Sequence, residues 1–361
     1  GRLRDLAKVE RRTFESPWRD RAPTVEDLSQ PNVVRFRRPL PGKVIVEDEV
    51  QGTVSWANDD LDDLVLLRSD GAPTYNLAVV VDDHDMGVTH VIRGDDHLNN
   101  AARQSLIYDA LGWTRPSFAH IPLIHGPDGA KLSKRHGAQA VHEYAAMGYL
   151  PEAMRNYLAR LGWAHGDDEL FNDAQAQAWF DLSGVGKAPA RLDFDKLAHV
   201  NAHWIRLADD DRLAKMTLDV HLARGHALGP DDEARLLRAM PFIKDRAKTV
   251  LELADQTGFA LKVRPLSIYE KALPMLTGES GERIGRLRDR LKLFASWDVF
   301  ALEAELKVFA EEEAVGFGKI GPAVRAALTG DGVSPDIAKT LAALGREESL
   351  GRLDDALQQT I

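Results

Sequence analysis

Lys131, Lys134 and Arg135 fall within five residues, in Lys131-Leu132-Ser133-Lys134-Arg135, with Pro127-Asp128-Gly129 before them and His136-Gly137-Ala138 after. Three cations on a glycine-flanked loop repel one another unless a polyanion neutralises them. A mobile lysine ammonium can follow a phosphate as charge develops during transfer. The same pentamer also reads as a solvated basic turn. Upstream, Arg93 ends the β-branched run Val88–Ile92 and is followed by Gly94 and Asp95-Asp96-His97. A guanidinium at a strand end can hold a carboxylate through two hydrogen bonds, or form a structural ion pair with Asp82, Asp83, Asp95 or Asp96. Asp82, Asp83, His84 and Asp85 offer metal-type ligands, but neighbours on a strand end diverge, so no protein metal site is expected.

Read together, Ser69-Asp70-Gly71-Ala72-Pro73-Thr74-Tyr75 through Asp95-Asp96-His97, followed by the Lys-Leu-Ser-Lys-Arg loop, closely resemble the bacterial glutamyl-tRNA synthetases. The loop is similar to the second class I signature, usually Lys-Met-Ser-Lys-Ser. The resemblance runs to the C-terminus. It implies a glutamate–tRNA ligase: ATP and L-glutamate give glutamyl-adenylate, and the glutamyl group passes to the 3′ end of tRNA-Glu. By resemblance, Tyr75 and Arg93 hold glutamate, Asp96 meets the ATP ribose and His97 lies beside adenine. By the same resemblance Lys131, Leu132, Lys134 and Arg135 bind ATP, and Lys131, Ser133 and Lys134 take the catalytic role. Mg²⁺ is expected to come with the nucleotide. Lys134 would stabilise charge on departing pyrophosphate while the substrate carboxylate attacks the α-phosphate. No side-chain nucleophile is needed. Two positions depart from the family. Asp95 shortens the usual Glu-Asp-His, and Val79, four after Tyr75, cannot supply the polar contact some relatives place there.

The family's other signature, close to His-Ile-Gly-His, is not in this sequence; His221–His226 lies in a helical region and does not replace it. The expectation is therefore a truncated form, inactive alone in glutamate activation. The alternative is a non-catalytic tRNA-binding fragment. A Rossmann oxidoreductase is set aside because no Gly-x-Gly-x-x-Gly follows a strand.

The elements that must position these residues begin with an expected helix at 2–14. Strands are expected at 32–36, 43–47, 52–55, 63–68, 78–81, 88–92 and 118–124, and a helix at 99–111. This order suggests an α/β domain, the remainder of a class I Rossmann-like catalytic domain. Beyond 138 the chain reads as helices to residue 358. That texture is similar to the anticodon-binding bundle of the bacterial enzymes. It differs from the β-barrels of eukaryotic-type glutaminyl enzymes and from the glutamyl-queuosine enzymes, which lack such a region. The expected division is a catalytic part at 1–145, a stem-contact domain at 146–208 and an all-α anticodon-binding domain at 209–361.

The chain has 361 residues, enough for two or three domains with a large core, and a formal charge of −10. Acidic balance does not exclude RNA, because the local patch sets phosphate binding. Lys244, Arg246 and Lys248 are candidate tRNA contacts, or equally a solvated helix face. The arginines between 2 and 38 pose the same choice. There is no Cys, so no disulfide framework and no thiolate metal site. No apolar run has transmembrane length, and a cytoplasmic monomer without membrane association is expected.

Overall fold

The computed structural model describes residues 9–10, 13–132, 140–332 and 334–359. Ser133, Lys134 and Arg135 lie outside the described residues, as does most of the helix expected at 2–14, whose described end, Thr13 and Phe14, is not helical. The chain forms two compact units. One holds Gly1–Ala138 and Leu158–Asp193, the other Gln139–Tyr157 and Phe194–Ile361.

The first unit contains, in order, α1 (Val25–Ser29), β1 (Val34–Arg35), β2 (Lys43–Asp48), β3 (Gly52–Ala57), β4 (Val65–Leu67), α2 (Tyr75–Asp85), β5 (His90–Gly94), α3 (Leu98–Leu111), β6 (Ser117–Ile121), β7 (Ile124–His125) and later β8 (Ala190–Arg191). Its main sheet has the order β3-β2-β6-β5. β5 runs parallel to β6, and β6 parallel to β2, as a strand–helix–strand crossover requires. β3 pairs antiparallel with β2 and makes the sheet mixed. Along β2, Val44, Val46 and Asp48 are buried while Lys43, Ile45 and Glu47 are exposed. The apolar members meet α3: Val44 clusters with Ala102 and Leu106, and Val46 with Ala101 and Phe118. Gly112, in the left-handed conformation at φ 70°, ends α3.

One expected strand is a helix. Ala78–Val81 lies inside α2. Its three consecutive valines favour a strand, but the helix penalty for each is a few tenths of a kcal/mol. Packing decides the matter: Leu77 and Val80, three apart, share one helical face with Ile107, Tyr108 and Trp113. Thr74 fixes the entry, its hydroxyl donating to the Val65 carbonyl at 2.6 Å, and Gly87 at φ 66° follows the end. His84 stacks on Trp113 with ring centroids 3.7 Å apart. Among the described residues no three His, Cys, Asp or Glu side chains converge as a cation site.

Among the described early arginines, two are tied down inside the fold and two lie in exposed pairs. Arg19 and Arg38 converge on buried Asp63, at 2.5 and 3.4 Å, and the Arg38 side chain is 1% exposed. Arg37 pairs with Asp20 and Arg21 with Asp27.

Among the described residues the regular elements of the second unit are all helices, among them Phe194–Leu207, Asp210–Ala223, Asp232–Ile243 and Val250–Thr257, then Gly278–Leu293, Val299–Glu312, Phe317–Thr329, Ile337–Leu344 and Arg346–Gln358. Thr249 caps its helix by accepting from Glu252 N, which fixes the start at Val250. Residues 270–276 form a 3₁₀ helix, with Pro274 unable to donate an α-helical bond. Gly278 opens the next helix. Arg352, 1% exposed, donates to the carbonyls of Phe259, Leu328 and Lys262 and pairs with Glu348.

Candidate active site

The candidate residues gather at the C-terminal ends of the parallel strands, where open α/β sheets form their ligand crevice. Arg93 is the penultimate residue of β5. Its Nε donates to His120 Nε2 at 3.0 Å, and its Nη2 donates to the Gln104 side-chain oxygen at 2.9 Å and to the His97 carbonyl at 3.3 Å. A further side-chain hydrogen bond joins Arg93 to Tyr75. Among the described residues no carboxylate lies at ion-pair distance, so the pairing with Asp82, Asp83, Asp95 or Asp96 weighed above is not formed. Burial is the largest influence on Arg93 and lowers its pKa, against the opposing pull of Tyr75 and Asp83. A guanidinium remains charged through such a change. Arg93 therefore presents a half-buried positive charge whose hydrogen-bond partners are neutral.

Tyr75 opens α2, is 51% exposed, and places its ring 6.2 Å from that of His97. Val79, one helical turn on, shares the Tyr75 face. His97 sits at the start of α3, where Nδ1 contacts Asn100 Nδ2 at 3.2 Å. Asp96 lies in the short 3₁₀ turn between β5 and α3 and pairs with Lys131 at 2.9 Å. That hydrogen bond is the leading reason the Asp96 carboxyl sits below the usual carboxylate range. Both partners are substantially exposed and open to exchange for a ligand.

Lys131 is carried by a tight reversal after β7. Gly126 N donates to the Ala130 carbonyl at 2.9 Å, Leu132 N to the Ile124 carbonyl at 3.1 Å, and Asp128 Oδ1 accepts from Ala130 N. Gly129, at φ 79°, supplies the left-handed residue of the turn. Leu132 is half-buried; Ser133, Lys134 and Arg135 lie outside the described residues. Tyr75, Arg93, Asp96, His97 and Lys131 are thus brought together.

Lys244, Arg246 and Lys248 do not form one free cluster. Lys244 pairs with Asp210 at 2.6 Å and donates to the Ala208 carbonyl, whereas Arg246 and Lys248 are exposed.

Sequence reasoning missed the groups behind Arg93. Asp48 and His120 are fully buried side chains, with His120 Nδ1 to Asp48 Oδ2 at 2.6 Å. Asp48 Oδ1 also accepts from the backbone N–H groups of Val50, Gln51 and His120. Burial pushes the Asp48 carboxyl up, but these hydrogen bonds outweigh it and hold the pKa below the ordinary value. A lone histidine inside Ser117-Phe118-Ala119-His120-Ile121 was the available signal, since a buried imidazole needs a partner.

Residues 10–199 match the family described as tRNA synthetases class I (E and Q), catalytic domain, and residues 212–357 match an anticodon binding domain. The glutamate–tRNA ligase of Caulobacter vibrioides is 62% identical over 98% of this chain and 75% of its own length. That of Phenylobacterium zucineum is 59% identical over the same shares. A crystal structure of a glutamate–tRNA ligase from Elizabethkingia meningosepticum, in complex with its amino acid, superposes with a TM-score of 0.82 at 28% identity, covering 100% of this chain and 77% of that one. With a sheet-based catalytic region, a helical anticodon-binding region and relatives at this level of identity, the chain belongs to the glutamate–tRNA ligases, within the class I tRNA synthetases.

Proposed function

We propose that the crevice at the ends of β5 and β6 holds L-glutamate and ATP for formation of glutamyl-adenylate. The observation that carries this reading is Arg93: a half-buried guanidinium with neutral partners, beside an exposed tyrosine ring and next to an exchangeable Asp96–Lys131 pair. Arg93 grips a glutamate carboxylate, and Tyr75 packs against the amino acid. Asp96 accepts from the ATP ribose once Lys131 turns to the phosphates, and His97 lies along the adenine. Leu132, Ser133, Lys134 and Arg135 complete the phosphate loop, with Mg²⁺ arriving on the nucleotide. A glutamate carboxylate oxygen attacks the α-phosphorus, the bond to the bridging oxygen breaks, and pyrophosphate leaves with its charge held by Lys134 and Lys131. A ribose hydroxyl at the 3′ end of tRNA-Glu then attacks the acyl carbon, and AMP departs.

In this reading residues 1–145 serve catalysis, 146–208 contact the tRNA stem and 209–361 bind the anticodon. Arg246 and Lys248 touch RNA, while Lys244 acts through its pair with Asp210. The proposed working state is a cytoplasmic monomer; no helix among the described residues is long and apolar enough to cross a membrane. The test is glutamate- and tRNA-dependent ATP–pyrophosphate exchange by this chain and by Lys134→Ala. Exchange abolished by the substitution supports the assignment. Exchange unaffected by it removes the loop from the chemistry. Salt-sensitive tRNA-Glu binding without exchange favours a tRNA-binding role for the chain.

A further inference from the structure

Asp48, His120 and Arg93 stand in a row across three neighbouring strands. Asp48 ends β2, His120 is penultimate in β6 and Arg93 penultimate in β5. Arg93 and His120 are directly registered in the parallel β5–β6 pair. The side chains continue the row: Asp48 Oδ2 to His120 Nδ1 is 2.6 Å, and His120 Nε2 to Arg93 Nε is 3.0 Å. Arginine Nε can only donate, so His120 Nε2 must accept, and the imidazole proton sits on Nδ1, donating to Asp48. Asp48 is itself held by three backbone N–H groups. The row therefore has one proton arrangement, set from Asp48 outward.

An apolar trio at these positions would hold the sheet at least as well, because buried ionic and polar groups are poor sources of stability. What the polar row supplies is orientation. An arginine side chain is long and rotamer-rich, and two anchored nitrogens, Nε on His120 and Nη2 on Gln104, fix the guanidinium plane.

We propose that Asp48 and His120 are positioning residues for Arg93, holding its guanidinium plane so that it meets the substrate carboxylate without reorganisation on binding. This inference rests on the glutamate-holding role of Arg93. It predicts that His120 matters through its Nε2 acceptor and not through its bulk. His120→Asn keeps an amide donor near Asp48 but reaches too short to accept from Arg93. His120→Gln reaches the Nε2 position with its carbonyl.

The experiment measures L-glutamate and ATP affinity of the parent and both variants by calorimetry, with melting temperatures alongside. It adds exchange of the Arg93 Nε–H with water, read by NMR with labelled arginine. The expected result is glutamate affinity at least tenfold weaker in His120→Asn and partly restored in His120→Gln, with ATP affinity within twofold in both. The Arg93 Nε–H exchanges slowly in the parent and His120→Gln, and fast in His120→Asn. Equal glutamate affinity in all three overturns the proposal, as does a loss in His120→Gln as large as in His120→Asn, or a loss shared equally by glutamate and ATP. If the parent binds no glutamate, the glutamate reading of the site fails. The NMR result then decides the positioning claim by itself: fast exchange confined to His120→Asn supports it, and exchange unchanged by that substitution overturns it.

Discussion

Asp48→Asn changes one atom of a fully buried side chain and should be one of the more damaging isosteric substitutions in the first unit. The amide oxygen can take the place of Oδ1 and accept from Val50, Gln51 and His120 N–H. The amide nitrogen then faces His120 Nδ1, where Oδ2 accepts now at 2.6 Å. Two donors meet, and His120 must move its proton to Nε2. That atom can no longer accept from Arg93 Nε, now 3.0 Å away. The substitution removes one charge-assisted hydrogen bond, about 1.5–3 kcal/mol, and weakens three others, for a total of about 2–4 kcal/mol at neutral pH. At about 2–4 °C per kcal/mol, the first unit's melting transition should fall by roughly 4–16 °C. The pH dependence has a definite sign. The folded-state pKa of Asp48 is held below its ordinary value, so its contribution is complete above the unfolded-state value of about 3.9 and is lost as pH falls through the folded one. The gap between parent and variant should be constant from pH 7 to about 5 and narrow below about 4. Thermal and urea unfolding at a series of pH values, followed by circular dichroism, measures both. A variant melting within about 1 °C of the parent at pH 7, or a gap that does not close in acid, would refute the reasoning.

Lys131→Ala removes an exposed ion pair with Asp96, so stability should change by less than about 1 kcal/mol while ATP affinity falls, which melting and nucleotide titration separate. Gly148→Ala should destabilise the second unit by roughly 2–4 kcal/mol, because a Cβ there, at φ 84°, meets the backbone nitrogens of Leu251 and Val250 at 2.8 and 2.9 Å; chemical denaturation checks it. His221 is buried against His226 and Thr257, and burial pulls its pKa down to about 4. Its stabilising contribution is complete above the unfolded value of about 6.5 and drains away as pH falls from there toward 4, so His221→Gln should flatten the stability profile of the second unit in that window.

How far the fold and site were legible depended on whether the signal was local. The β5–α3–β6 crossover and the later helices follow from runs and caps within a few residues of each other. Tyr75, Arg93, Asp96, His97 and Lys131 could be named from two short motifs, and they do meet. α2 was misread because Val79-Val80-Val81 carries a strand's composition, while its helical state is set by Ile107, Tyr108 and Trp113 about 30 residues away. Asp48 and His120 were invisible for the same reason: 72 residues separate them, and neither strand's own sequence shows that the two pair. For Arg19 and Arg38 the sequence left a solvated face and an RNA contact equally open, because Asp63, which takes up both, lies in a different segment. Local composition records which groups are charged, and tertiary structure decides which charges remain available.

Arg93 is the proposed seat of the glutamate carboxylate. The direct measurement is equilibrium binding of L-glutamate to the chain and to Arg93→Ala, with unfolding curves to establish that both are folded. Loss of a charge-assisted carboxylate contact predicts binding about 10- to 100-fold weaker in the variant with ATP affinity unchanged. Equal glutamate binding by the two proteins would contradict it.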